Sequence, residues 1–168
     1  MKKWISILAV LILIVTISGC TNNQTQPANK TYSGNGLSFV YPGNWNELDK
    51  TAYQSALDDK GELLAVVGDG STMFGIARLN KVKNQTNITL NNLVVYYNST
   101  FNKGTEYVSE DLVTVDGVKG YEITVKASGN YLSGVLFIKN STNYLAVFES
   151  SDNSQKTFNQ IISSLKVP

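Results

Sequence analysis

The chain has 168 residues, a formal net charge of +1, no histidine, one cysteine and one arginine, Arg78. That length suits one ordinary domain with a real core, and a near-neutral balance with a single guanidinium argues against nucleic acid as a partner. The missing histidine removes the commonest general base and zinc ligand, and the lone cysteine excludes a disulfide framework or a CxxC motif.

Met1-Lys2-Lys3 is a short positive start, and from Trp4 to Ile17 only Ser6 and Thr16 are polar. As a helix these 14 residues span about 21 Å at ~1.5 Å per residue. A bilayer core needs roughly 20 apolar residues, so the run is short for a membrane span and right for a secretory signal. Small Ser18 and Gly19 follow, and then Cys20. Ile17-Ser18-Gly19-Cys20 resembles the lipobox of secreted lipoproteins. The resemblance implies a signal peptide over 1–19, a diacylglyceryl-type lipid on Cys20, and attachment to the extracytoplasmic face of the cell membrane. One acyl chain holds a protein marginally, but two, at ~0.8 kcal/mol per buried CH₂, hold it firmly. The competing reading is an uncleaved anchor with an incidental cysteine.

Residues 21–30, TNNQTQPANK, carry no large apolar side chain and cannot bury enough surface to offset their ordering entropy. With Cys20 they are expected to form a flexible tether over 20–30, reaching roughly 15–20 Å. The folded domain is expected over 31–168.

That domain opens with LSFVYPGNW, where Leu37, Phe39 and Tyr41 alternate with Ser38 and Val40 as in a strand and Pro42-Gly43-Asn44 stops it. Trp45 is expected to pack on the sheet, and 51–58 to form a short helix. ELLAVVG (62–68) and MFGIARLN (73–80) read as strands joined by an Asp69-Gly70-Ser71-Thr72 hairpin connection. After a polar loop over 81–88, Leu90, Leu93, Val94, Tyr97 and Phe101 form a helical stripe, with Thr89 as N-cap and Gly104 as stop. Four strands follow. Tyr107–Val115 is partly alternating, and Asp116-Gly117 signals a type I′ hairpin. In GYEITVKA, Tyr121, Ile123, Val125 and Ala127 point one way and Glu122, Thr124 and Lys126 the other. Ser128-Gly129-Asn130 turns the chain, and YLSGVLFIK and YLAVFES, joined by Asn140-Ser141-Thr142-Asn143, are apolar on both faces in places. Strands apolar on both faces must be covered on both sides. A final helix, capped by Asp152 with Gln155 as reciprocal partner, buries Phe158, Ile161, Ile162 and Leu165. The expected class is α+β, an antiparallel sheet flanked by helices on both faces.

LSFVYPGNW, through Phe39, Tyr41, Pro42 and Trp45, resembles the opening of PsbP-like domains. TVDGVKGYEITV, with Asp116-Gly117 and Gly120-Tyr121, is similar to that family's central hairpin, and TFNQIISSLKV, through Phe158, Ile161, Leu165 and Val167, to its closing helix. The resemblance spans nearly all of 31–168 and implies a sheet with helices on both sides. The family's best-known member is an extrinsic protein of photosystem II that supports calcium and chloride retention. That activity does not carry over: this chain has a lipid tether in place of the long docking segment, and without histidine it supplies no histidine ligand to manganese or zinc. The family also holds many prokaryotic lipoproteins of unassigned role, and this chain looks like one of them.

Six Asn-x-Ser/Thr sequons occur. Asn23 and Asn29 in the tether, Asn84 and Asn87 in a loop and Asn140 at a turn sit where a glycan fits, while Asn98 lies at the edge of the buried helical stripe. Asp58, Asp59 and Glu62, and Glu110 with Asp111, are acidic groups that a hard cation could use, but they read first as solvated charge. Neighbouring strand residues face opposite ways, so Glu110 and Asp111 do not share a ligand. The tyrosines at 96, 97, 107, 121, 131 and 144 read as core edge with wet hydroxyls. No GxSxG, HExxH, GxGxxG or Walker pattern occurs. The leading expectation is a lipid-anchored, monomeric, non-enzymatic binding or assembly module of the cell envelope, without cofactor or metal, engaging an envelope protein through one face. A carboxylate-only enzyme acting on polysaccharide is the first alternative. It needs two carboxylates about 5–10 Å apart, from among Asp58, Asp59, Glu62, Glu110, Glu122 and Glu149. A calcium- or small-ligand-binding lipoprotein is the second.

Overall fold

The computed structural model describes residues 27–55, 57, 61–80 and 106–168. Two-residue turns organise most of its strands. Asn35 and Gly36 (φ 53° and 77°), Asp116 and Gly117 (46° and 81°), Ser128 and Gly129 (51° and 89°) and Asn140 and Ser141 (49° and 60°) all take positive φ, the geometry of type I′ hairpins. The first joins β1 (Lys30–Gly34) to β2 (Leu37–Tyr41) as a separate two-stranded antiparallel sheet. β1 is absent from the sequence expectation, although its Asn35-Gly36 dipeptide is the strongest short hairpin signal in the chain.

The other strands are β3 (Asn46–Glu47), β4 (Gly61–Gly68), β5 (Thr72–Leu79), β6 (Glu106–Val115), β7 (Val118–Ala127), β8 (Asn130–Lys139) and β9 (Thr142–Ser150). They form one antiparallel sheet in the order β3-β4-β5-β9-β8-β7-β6. Between β4 and β5, Asp69 Oδ1 accepts from the Ser71 N–H (3.0 Å), the Ser71 hydroxyl (2.9 Å) and the Thr72 N–H (3.0 Å), which makes the expected connection an Asx turn.

Two helices complete the described residues, α1 (Thr51–Gln54) and α2 (Gln155–Ser164). α2 and the β1–β2 hairpin lie on one face of the sheet over the larger core. Phe39 meets Phe74 edge-on at 5.1 Å, Phe148 stacks on Phe158 at 5.3 Å, and Trp45 lies against Phe148 as expected. The Ser38–Lys166 backbone pair (3.0 and 2.8 Å) and the Val40 N–H on Ser164 Oγ (2.9 Å) lock β2 to the C-terminal end of α2. The second face buries Leu63, Val66, Ala77, Leu79, Leu136 and Leu145, with Leu48 and Leu57 packed against them. Alternation lets β4 feed both cores, and its bulge between Leu63 and Ala65 puts the consecutive Leu64 and Ala65 in the same one. The sheet is thus buried on both sides, as its two-faced strands require. The helix expected over 89–104 lies outside the described residues, so helical cover is seen on one face.

Two local expectations are corrected. The helix expected over 51–58 is limited to Thr51–Gln54 among the described residues. The last helix starts at Gln155 with Ser154 at its N-cap. Asp152 accepts from the Ser154 hydroxyl instead of capping, and Gln155 does not reach back. Its amide is taken by a buried carboxylate on the sheet.

Candidate functional site

That carboxylate is Glu122. It stands on β7 directly opposite Asp111 of β6, and Gln155 Nε2 donates to its Oε1. Alternation separates Glu122 and Thr124 from Tyr121 and Ile123, and the polar pair is the deeper one, 6% and 1% exposed. The Thr124 and Ser133 hydroxyls meet at 2.8 Å, and Ser133 Oγ donates to Gln155 Oε1 at 3.4 Å. Gln155 Nε2 also reaches Asn159 Oδ1 at 3.3 Å. Burial pushes the Glu122 carboxyl above its usual range, the Gln155 bond opposes this, and the neighbouring Asp111 charge adds to the rise.

These residues border a cleft of about 450 Å³ between β6, β7 and α2, within the size range of small-ligand sites, roughly 300–1,000 Å³. Gln155, Asn159, Ile162 and Ser163 form its helical wall at i, i+4, i+7 and i+8. No lysine or arginine is among the described residues that line it. The arrangement offers acceptors and amides to a polar or cationic group.

The remaining described candidates do not converge on the cleft. Glu62 pairs with Arg78 at 2.5 Å, about half exposed. Glu110 lies on the opposite face of β6 from Asp111, as alternation requires, and accepts from the Tyr121 hydroxyl. That bond, with burial and the Glu110 charge, holds Tyr121 up at about 12. Glu149 accepts from Asn130 Nδ2 at 2.8 Å. Asp58 and Asp59 lie outside the described residues. No group of three His, Cys, Asp or Glu suited to a metal occurs among the described residues. Tyr144 is buried while Tyr107 is 59% exposed, so the described tyrosines share no common environment. Asn29 and Asn140 are exposed, and Asn140 Nδ2 donates to the Pro168 carbonyl at 3.1 Å. Cys20, Asn23, Asn84, Asn87 and Asn98 lie outside the described residues.

Sequence reasoning missed the inward role of Glu122, because alternation on β7 separates an apolar side from a polar side and gives no sign that the polar side is also covered. It also missed Asp116, read only as a turn residue. Its carboxylate accepts from Lys139 Nζ, from Lys166 Nζ at 3.1 Å and from the Val167 N–H at 3.1 Å.

The model of a family described as PsbP-like protein matches residues 5–167. No curated protein matches the chain in sequence. The solution structure of cyanobacterial PsbP (CyanoP) from Synechocystis sp. PCC 6803 superposes with a TM-score of 0.59 at 13% identity, covering 91% of this chain and 99% of that one. The crystal structure of LpqN, involved in cell envelope biogenesis of Mycobacterium tuberculosis, gives 0.51 at 9% identity, covering 84% and 91%. At these identities the likeness is one of fold.

Proposed function

The chain belongs to the PsbP-like protein family, and on that basis we propose that it is a lipid-anchored, non-enzymatic binding module on the extracytoplasmic face of the cell envelope. Its lipid sits on Cys20, the residues from there to Asn29 are its leash after loss of a 1–19 signal peptide, and the domain, which starts at Lys30 in β1 rather than at residue 31, holds one envelope component through the cleft between β6, β7 and α2. The observation that carries this reading is the cleft itself, polar and acidic, with a carboxylate buried at its wall without a cation beside it among the described residues. Keeping Glu122 there is costly to the fold, the pattern of groups held for binding. The short apolar run before Cys20 supports the anchor, and LpqN's part in envelope biogenesis makes an envelope role a natural one for this fold. Helical cover on both faces belongs to the same reading, supported by the buried second core.

The test is crosslinked capture from solubilised envelopes with the full chain and with Asp111→Asn, an exposed position. One partner held by the parent and lost from the variant, at unchanged thermal melting, supports the reading. Polysaccharide turnover that disappears with Glu122→Gln overturns it in favour of a carboxylate-only enzyme. Calorimetric calcium binding lost with Asp111→Asn, in the absence of any captured protein, overturns it in favour of an ion-binding lipoprotein.

A further inference from the structure

We propose that the outer edge of β6 and the cleft beside it receive an extended, lysine- or arginine-bearing segment of the envelope partner, added to the sheet as a further strand with its cation on Asp111 and Glu122. This rests on the binding-module reading and names the chemistry of its partner.

β6 is ten residues long and ends the sheet, and no described residue pairs with its outer side. Soluble proteins usually blunt such an edge with charged side chains, lysine above all, with proline, with a bulge or by keeping it very short. β6, EYVSEDLVTV, has no lysine or proline; its charges are all acidic, which deters another acidic edge but not a cationic strand, and it leaves Tyr107 59% and Leu112 71% exposed. Its bulge lies between Tyr107 and Ser109, so the stretch beyond it is regular. The residues of β6 that line the cleft, Val108, Ser109 and the run from Asp111 to Thr114, are sequence neighbours. Neighbours on a strand point to opposite faces, so the strand's edge and main chain form that wall. A groove between a sheet edge and a helix suits strand addition, in which main-chain bonds give affinity and alternate side chains give specificity.

Charge selects the occupant. Glu106, Glu110 and Asp111 lie on β6 and Glu122 beside it. A second copy pairing through its own β6 brings carboxylates against carboxylates, which is unfavourable. A strand carrying a lysine or arginine meets two carboxylates and the side-chain oxygen of Asn159 instead.

The test uses the full chain in detergent micelles and short end-blocked peptides of alternating valine and threonine with a central lysine, read by fluorescence anisotropy. Replacing the lysine by norleucine, or Asp111 by asparagine, is expected to weaken binding about tenfold each, with little further loss when combined. N-methylation of the alternate amides that face β6 is expected to abolish binding, and methylation of the other set to leave it. Binding indifferent to the lysine, to both methylation patterns, or displaced fully by calcium ions overturns the proposal. If the peptides fail while envelope capture still depends on Asp111, strand addition is wrong and the binding-module reading stands. If capture is also indifferent to Asp111, both fall.

Discussion

Asp116 shows how much one turn residue can carry. It sits at positive φ in a two-residue turn, a conformation that aspartate tolerates better than most residues. From there its carboxylate joins the β6–β7 hairpin to Lys139 at the end of β8 and to Lys166 and Val167 after α2. Burial alone would raise this carboxyl, but the bonds from Lys139, the Val167 N–H and Lys166 hold it down at about 2. The unfolded value is ~3.9. A depressed folded pKa adds stability above the unfolded value, and that stability is lost as the pH falls from about 4 toward 2. Asp116→Asn is expected to remove about 1–2 kcal/mol near neutral pH, and the gap from the parent in urea titrations should close near pH 2. Glu122 behaves in the opposite sense. With a raised folded pKa it costs nothing below the unfolded value. As the pH rises, the unfolded chain gives up its proton first, so the fold is penalised, fully so above the folded pKa. Glu122→Gln is therefore expected to stabilise the domain at neutral pH by about 1 kcal/mol, with no gain in acid, as thermal melting at the two pH values would show. A variant that melts higher yet binds less is the signature of a residue kept for function.

At the scale of elements, the turns and α2 impose different kinds of constraint. A Cβ at Gly117 meets nothing within 4 Å, yet its φ is +81°. Gly117→Ala should therefore lose only the backbone term, about 1–2 kcal/mol, measurable as a shift in denaturation midpoint without change in slope. Ile161 on α2 is fully buried against the main core. Ile161→Ala should cost about 2–5 kcal/mol and, because α2 is one wall of the cleft, weaken capture of the partner as well. α2 also has no acidic residue in its first turn and no side-chain cap, so packing rather than end chemistry holds it in place.

On the proposed reading, the whole molecule separates an address at Cys20 from a binding surface at the cleft. Cys20→Ser is expected to abolish incorporation of labelled fatty acid and normal processing; a variant still cut and membrane-bound like the parent would contradict the lipobox reading. No helix among the described residues is long and apolar enough to cross a membrane. Much of this organisation was legible in the residues. Period-two alternation placed β2 and β7, the positive-φ dipeptide Asp116-Gly117 placed one hairpin and the polar link over 140–143 another, and the Phe158-Ile161-Leu165 stripe placed the final helix, because each is a local pattern set by backbone geometry. Asn35-Gly36 carried the same kind of signal for β1 and was available to the same reasoning. The sequence by itself therefore determined the class, the turns and the PsbP-like kinship. Only the tertiary structure decided that the polar side of β7 faces inward, that Gln155 serves Glu122 rather than its own helix, and that Asp116 ties three parts of the chain together. Each depends on residues dozens of positions apart meeting in space, where burial, not local propensity, chooses which face of a strand turns to the core.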